Sequence, residues 1–161
     1  MKLNYFGIDK VTGRKLYSLW LDSPVELLAN FDVKSSRFVC VLAWDITEVS
    51  SAVIGKFVNS LLDSGAVYFC CWGPGCERLH DLIDEESVIM NLNKENESVI
   101  MTTWHNKEGF VEAIEFGLTS AYPDEAFSSG CDAFVVVSIG SMYWAAQSEL
   151  YLAKHVLKQA I

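Results

Sequence analysis

No run of apolar residues in this 161-residue chain approaches the ~18–20 that a membrane-spanning helix needs. The start, Met1 to Asp9, lacks the long apolar stretch and small-residue cleavage site of a secretory leader. These absences lead us to expect a soluble cytoplasmic protein with no membrane role. Positive charge is also scarce. Twelve Lys and Arg stand against 21 Asp and Glu, for a net charge of −9. Such a chain lacks the basic surface that holds nucleic acid, and its acidity suits a protein partner with a basic surface.

Paired C-x-x-C spacing is missing. Cys40, Cys70, Cys71, Cys76 and Cys131 are an odd number and largely sit in apolar sequence. They read as reduced, buried thiols, with no structural zinc and no disulfide framework. Phosphate signatures are incomplete as well. No phosphate-loop lysine motif occurs, and Arg78 stands where a third glycine would follow Gly73 and Gly75 in a dinucleotide fingerprint. Arg78 also falls one position too far from Cys71 for a cysteine-phosphatase loop. We therefore expect no cofactor and no metal. Repeats, low-complexity tracts and interdomain linkers are absent too. The expectation is a single α/β domain over residues 1–161, with an N-terminal extension (1–37) and a parallel βα core (38–161).

What is present is a recurring apolar run followed by a helical pattern. Runs begin near residues 38, 66, 98 and 133, and separations of roughly 30 residues match βαβ units. None of the runs alternates, so both faces of each strand should be covered. The fold class expected is a three-layer, Rossmann- or flavodoxin-like parallel sheet of four strands with helices on both faces. Helices are expected over about Thr47–Leu62, 76–85, a stripe from Phe110 to Ala121, and Met142–Lys158. The Phe110 stripe (Phe110, Ala113, Ile114, Gly117, Leu118, Ala121) has the cleanest helical period in the chain. Leu3–Ile8 and Lys15–Leu21 read as a β-hairpin before the core. Ser23-Pro24-Val25-Glu26 opens a short helix to about Asn30, and 91–97 is a polar link.

In an open α/β sheet, ligands bind outside the carboxyl ends of the strands. Those ends carry Trp44-Asp45, Trp72-Gly73, Trp104-His105 and Gly140-Ser141, with Trp144 just beyond. A tryptophan there either lids the core or walls a binding site. Asp45 is either a helix cap or a carboxylate at the crevice. The Gly73-Pro74-Gly75 turn is either a tight strand-to-helix connection or an anion cradle. Cys76 at a helix start, with Glu77 beside it and His105 from the next strand end, has the residue types of a nucleophilic or acid–base site. The catalytic candidates are thus Cys76, His105, Glu77 and Asp45. The candidate ligand- or partner-binding residues are Trp44, Asp45, Trp72, Gly73, Gly75, Trp104, His105 and Ser141.

Trp72-Gly73-Pro74-Gly75-Cys76 and Met101-Thr102-Thr103-Trp104-His105 resemble motifs of an uncharacterised bacterial family, a domain of unknown function. The resemblance covers about residues 38–120. It implies a small bacterial α/β domain and supplies no activity, cofactor or catalytic residue. In that family an aromatic residue follows the cysteine by three positions. Leu79 stands there in this chain, so no shared role passes to His80.

Two function classes follow. The first is a non-enzymatic binding or protein-interaction module, of the immunity or accessory type, acting as a monomer or homodimer. The second is an enzyme or sensor for a small, nucleotide-like molecule held at the strand ends.

Overall fold

A strand that reads apolar on both faces has to lie inside a sheet covered on both sides, and these do. The computed structural model describes residues 1–26, 31–91 and 98–161. Its strands are β1 (Lys2–Ile8), β2 (Lys15–Leu21), β3 (Arg37–Ala43), β4 (Ala66–Trp72), β5 (Met101–Trp104) and β6 (Cys131–Ile139). They form one sheet in the order β1-β2-β6-β3-β4-β5. All neighbours are parallel except β1, which pairs antiparallel with β2 at one edge.

The helices are α1 (Ser51–Asp63), α2 (Cys76–Asn91), α3 (Phe110–Thr119), the single turn α4 (Glu125–Ser128) and α5 (Met142–Gln159). Ile54, Phe57, Val58 and Leu61 of α1 join Leu79 and Ile83 of α2 in the core on one face of the sheet. Phe110, Ile114 and Leu118 of α3 join Leu152 of α5 in the core on the other. The three-layer α/β architecture expected from the sequence is the one observed.

The N-terminal hairpin is an integral part of the sheet. β2 lies parallel to β6 along its whole length, from Lys15 opposite Ala133 to Leu21 opposite Ile139. The sheet therefore has six strands where four were expected. Among the four core strands the order is β5-β4-β3-β6, which puts the reversal of strand order between β3 and β6.

Four local expectations need correction. The first helix begins at Ser51, not Thr47. Asp45 instead closes a turn, its Oδ1 accepting from the Thr47 amide at 3.0 Å and hydroxyl at 2.7 Å. Ser50 then caps α1 by accepting from the Val53 amide. Pro24–Glu26 is a single 3-10 turn. Glu26 accepts from the Asp22 amide rather than reaching Ser23, and residues 27–30 lie outside the described residues, as do 92–97 of the polar link. The third core strand, expected from about residue 98, begins at Met101 and forms the second sheet edge. α2 in turn runs several residues past its expected end.

Candidate functional site

Parallel strands deliver all their carboxyl ends to one side of the sheet. There the turn after β4, the turn after β5 and the first turn of α5 enclose a cleft of about 570 Å³. Trp72, residues 73–77, His105, Asn106, Glu108 and Trp144 line it.

The Gly73-Pro74-Gly75 turn is shaped by its neighbour. Gly73 has φ +113°, and a side chain there would begin 2.6 Å from the Trp44 carbonyl oxygen. Gly75 has φ +81°, and its missing side chain makes room for Ile46 at 2.8 Å. Glycine is required on both counts. The amides of Trp44 and Ile46 donate to the carbonyls of Trp72 and Pro74 at 3.1 Å each. Arg78 donates to the carbonyls of Ile46 and Val49 and to the Ser51 hydroxyl. The glycine turn is thus clamped to the β3–α1 loop.

Trp72 donates through Nε1 to the Glu108 carbonyl at 3.0 Å. Its ring lies 4.8 Å from Phe110 and meets Trp144 edge-on at 5.1 Å. That leaves a rigid aromatic corner at the cleft. His105 is buried, at 4% exposure. Its Nδ1 lies 3.1 Å from Glu108 Oε2 and its Nε2 lies 2.9 Å from Thr103 Oγ1. Opposite a carboxylate Nδ1 carries the proton and donates, so Nε2 accepts from Thr103. The imidazole orients the Glu108 carboxylate at the cleft mouth.

Cys76 lines the cleft yet is 2% exposed and belongs to an apolar core cluster. Burial pushes its thiol above the ordinary value, and the backbone amides of His105, Cys76 and Glu77 offset this only in part. That is the reverse of the lowering expected at a helix start, and a neutral thiol is a poor nucleophile. Both His105 nitrogens are engaged with Glu108 and Thr103 rather than with Cys76.

The cleft brings together Trp72, Gly73, Gly75, Cys76, Glu77 and His105. Asp45, Trp44, Trp104 and Ser141 are not in its lining. Asp45 is exposed, and its bonds from Thr47 hold its carboxyl below the ordinary value. Trp44 is buried edge-on against Phe57, 5.2 Å between centroids, as a core lid. Trp104 is 43% exposed on the edge strand, against His80. Ser141 caps α5 by accepting from the Trp144 amide at 3.2 Å.

Four lining residues, Pro74, Asn106, Glu108 and Trp144, were not among the candidate site residues, and Asn106 drew no notice in the sequence at all. The spacing His105-x-x-Glu108 across a tight turn was the available sign. Trp20, at the carboxyl end of β2, is a fifth tryptophan on this side of the sheet. Among the described residues, no three His, Cys, Asp or Glu side chains gather as a metal centre would. No described helix is long and apolar enough to cross a membrane.

A family model matches residues 19–154, from the end of β2 well into α5. The chain belongs to the family described as Domain of unknown function (DUF7684). The match extends beyond the 38–120 span of the motif resemblance and takes in both strands that flank the reversal of sheet order. No curated protein matches the chain.

Proposed function

We propose that this protein is a non-enzymatic recognition module that binds a protein partner by taking a lysine or arginine side chain into the Trp72–Trp144 cleft. The observation that carries this reading is the cleft's lining. It pairs two indoles with the carboxylates of Glu77 and Glu108 and includes no lysine or arginine. A cation gains from the aromatic faces and from charge-assisted bonds to the carboxylates. A phosphate would meet the same carboxylates with like charge, so the glycine turn is a poor cradle for a nucleotide.

Met142 and Tyr143, exposed beside Trp144, offer apolar ground to the residues flanking such a side chain. A net charge of −9 steers a basic partner toward the encounter. An acidic accessory or immunity-type protein of the bacterial cytoplasm fits these features. Five free, buried cysteines accord with a reducing compartment.

Titration with N-acetyl-argininamide and N-acetyl-lysinamide, followed by tryptophan fluorescence, tests the reading. Binding should weaken as salt rises and be lost in the Glu77→Gln/Glu108→Gln double variant. An equal response to N-acetyl-citrullinamide, which keeps the shape without the charge, would sink the cationic reading. At the level of the partner, Glu108→Lys should abolish co-purification of any stoichiometric basic protein while leaving the circular dichroism spectrum unchanged.

A further inference from the structure

Of the two outer strands of the sheet, one is guarded and the other is nearly bare. An edge strand offers a row of unpaired backbone amides and carbonyls to any other chain. Proteins ordinarily blunt it with bulges, charged side chains, short length or a covering element. β1 has several of these devices. Its pairing with β2 slips between Tyr5 and Gly7, Lys2 stands at its start, and Asn4 donates to Glu149 of α5 at 2.7 Å. β5 has only its four-residue length. It carries no charged residue and no proline, and its pairing with β4 runs from Met101 opposite Tyr68 to Trp104 opposite Cys71 without a slip.

The direction of the β5 backbone groups follows from one bond. The His105 amide donates to the Cys71 carbonyl at 2.9 Å, toward β4. Backbone groups alternate from side to side along a strand. Met101 and Thr103 therefore also face β4, and the amides and carbonyls of Thr102 and Trp104 face outward. Among the described residues none of these outward groups meets a backbone partner.

The side chains of the same two residues lie on the α2 face. Thr102 donates to Asp84 Oδ1 at 2.6 Å. His80 stands between Asp84 and Asp81, 3.5 and 3.0 Å from their carboxylate oxygens, and its ring lies 4.6 Å from that of Trp104. The Asp81 and Trp104 side chains remain open to solvent. The edge thus runs beneath a ledge of one open indole and two carboxylates. The only lysine or arginine of α2 is Arg78, and it is held by the β3–α1 loop. Met101, on the other face of the edge, is exposed as well. Charge decides between occupants. A second copy pairing edge to edge would be related by a two-fold axis normal to the sheet and would set α2 beside α2. Each ledge of carboxylates would then meet its counterpart, and like charges so placed repel. A chain with basic side chains on that face meets the indole and the carboxylates favourably.

We propose that β5 takes up an extended, basic segment of a protein partner as a further strand of the sheet. The segment's main chain bonds to the outward groups of Thr102 and Trp104. Alternate lysine or arginine side chains lie over Trp104 toward Asp81 and Asp84, and the apolar side chains between them pack by Met101. Main-chain pairing supplies affinity and the ledge supplies selectivity. The inference rests on the reading of a basic protein partner given above but uses different groups: Thr102, Trp104, Asp81 and Asp84 are not in the lining of the cleft.

The probe is the acetylated and amidated peptide Arg-Val-Arg-Val-Arg-Val, with amide exchange of nitrogen-15-labelled protein as the readout. At about nine-tenths saturation, exchange at Thr102 and Trp104 should slow about tenfold, because only the free protein exchanges. Met101 and Thr103 should change little, since their amides already bond to β4. The same peptide N-methylated at every residue keeps its charge but cannot pair, and it should protect neither amide. Asp81→Asn/Asp84→Asn should weaken the peptide about tenfold, with exchange in β4 unchanged as the check on folding. N-acetyl-argininamide is too short to form a strand and probes the cleft alone. Edge amides left unprotected by the peptide while argininamide binds defeat this inference and spare the cleft. Protection at the edge without argininamide binding does the reverse. Equal protection by the peptide with glutamate in place of arginine overturns the charge argument and with it the proposal. So does concentration-dependent protection of both amides in the peptide-free protein, which would assign the edge to a second copy.

Discussion

Asp9 is a buried, fully bonded carboxylate at the β1–β2 turn, at the opposite end of the sheet's strands from the cleft. Its carboxylate is buried and accepts from the Thr12 amide and hydroxyl, His155 Nε2 and Gln159 Nε2, at 2.6–2.9 Å. Burial alone would raise its pKa. The four bonds outweigh burial and hold the carboxyl far below the ordinary 3.8. A carboxyl lowered on folding contributes stability that is full above the unfolded value and is lost as pH falls. We expect unfolding free energy to decline as pH drops below about 3.8, and Asp9→Ala to cost about 3 kcal/mol at neutral pH. Urea titrations of both chains across that range check it; parallel curves would rule out the role given to Asp9. The cleft residues differ in kind. His105 is buried, but the carboxylate it holds, that of Glu108, is exposed at the cleft.

The glycine turn and the β3–α1 loop form one unit, each shaped by the other's backbone. Gly73→Ala should therefore destabilise by about 2 kcal/mol or more, combining left-handed strain with the approach to the Trp44 carbonyl. It should also blunt binding in the cleft. A thermal midpoint within a degree or so of the parent would contradict this. At this scale some elements were legible in the sequence and others were not, for physical reasons. Every residue of the α3 stripe from Phe110 to Ala121 is buried, because a 3.6-residue period has few competing readings. The start of α1 was misplaced because Asp45 bonds to a turn as readily as to a helix start. β5 read as a strand covered on both faces because its apolar residues resemble those of β4. At a sheet edge Met101 and Trp104 are exposed instead. The tryptophan corner was half legible: parallel topology brings strand ends together, but which face each indole takes depends on register. Trp44 and Trp104 went to the α1/α2 side and Trp72 to the other. Glu108 lies off the Phe110–Ala121 stripe and so reads as solvent-facing; the His105-x-x-Glu108 spacing hints at a pair but does not by itself show the carboxylate turning back to His105.

At the scale of the whole molecule, β2 is as much a part of the sheet as β3. Lys15–Leu21 has no alternating pattern, and five of its seven residues are buried. Hydrogen exchange should therefore find Tyr17–Leu21 amides opening with those of β6, through global unfolding. The short β5 edge should exchange faster. If β2 exchanges at the rate of a frayed extension, the hairpin is an appendage after all. The placement of β6 between β2 and β3 also bears on how the protein is made. The strand that joins the two halves of the sheet is the last to leave the ribosome, after β2 and β3 have waited through the synthesis of roughly a hundred residues. Until it arrives, two apolar strand edges stand open with the partner of neither yet made. Nascent chains stalled before Cys131 are thus the form most exposed to chaperones and to aggregation, and completion of one strand closes both edges at once.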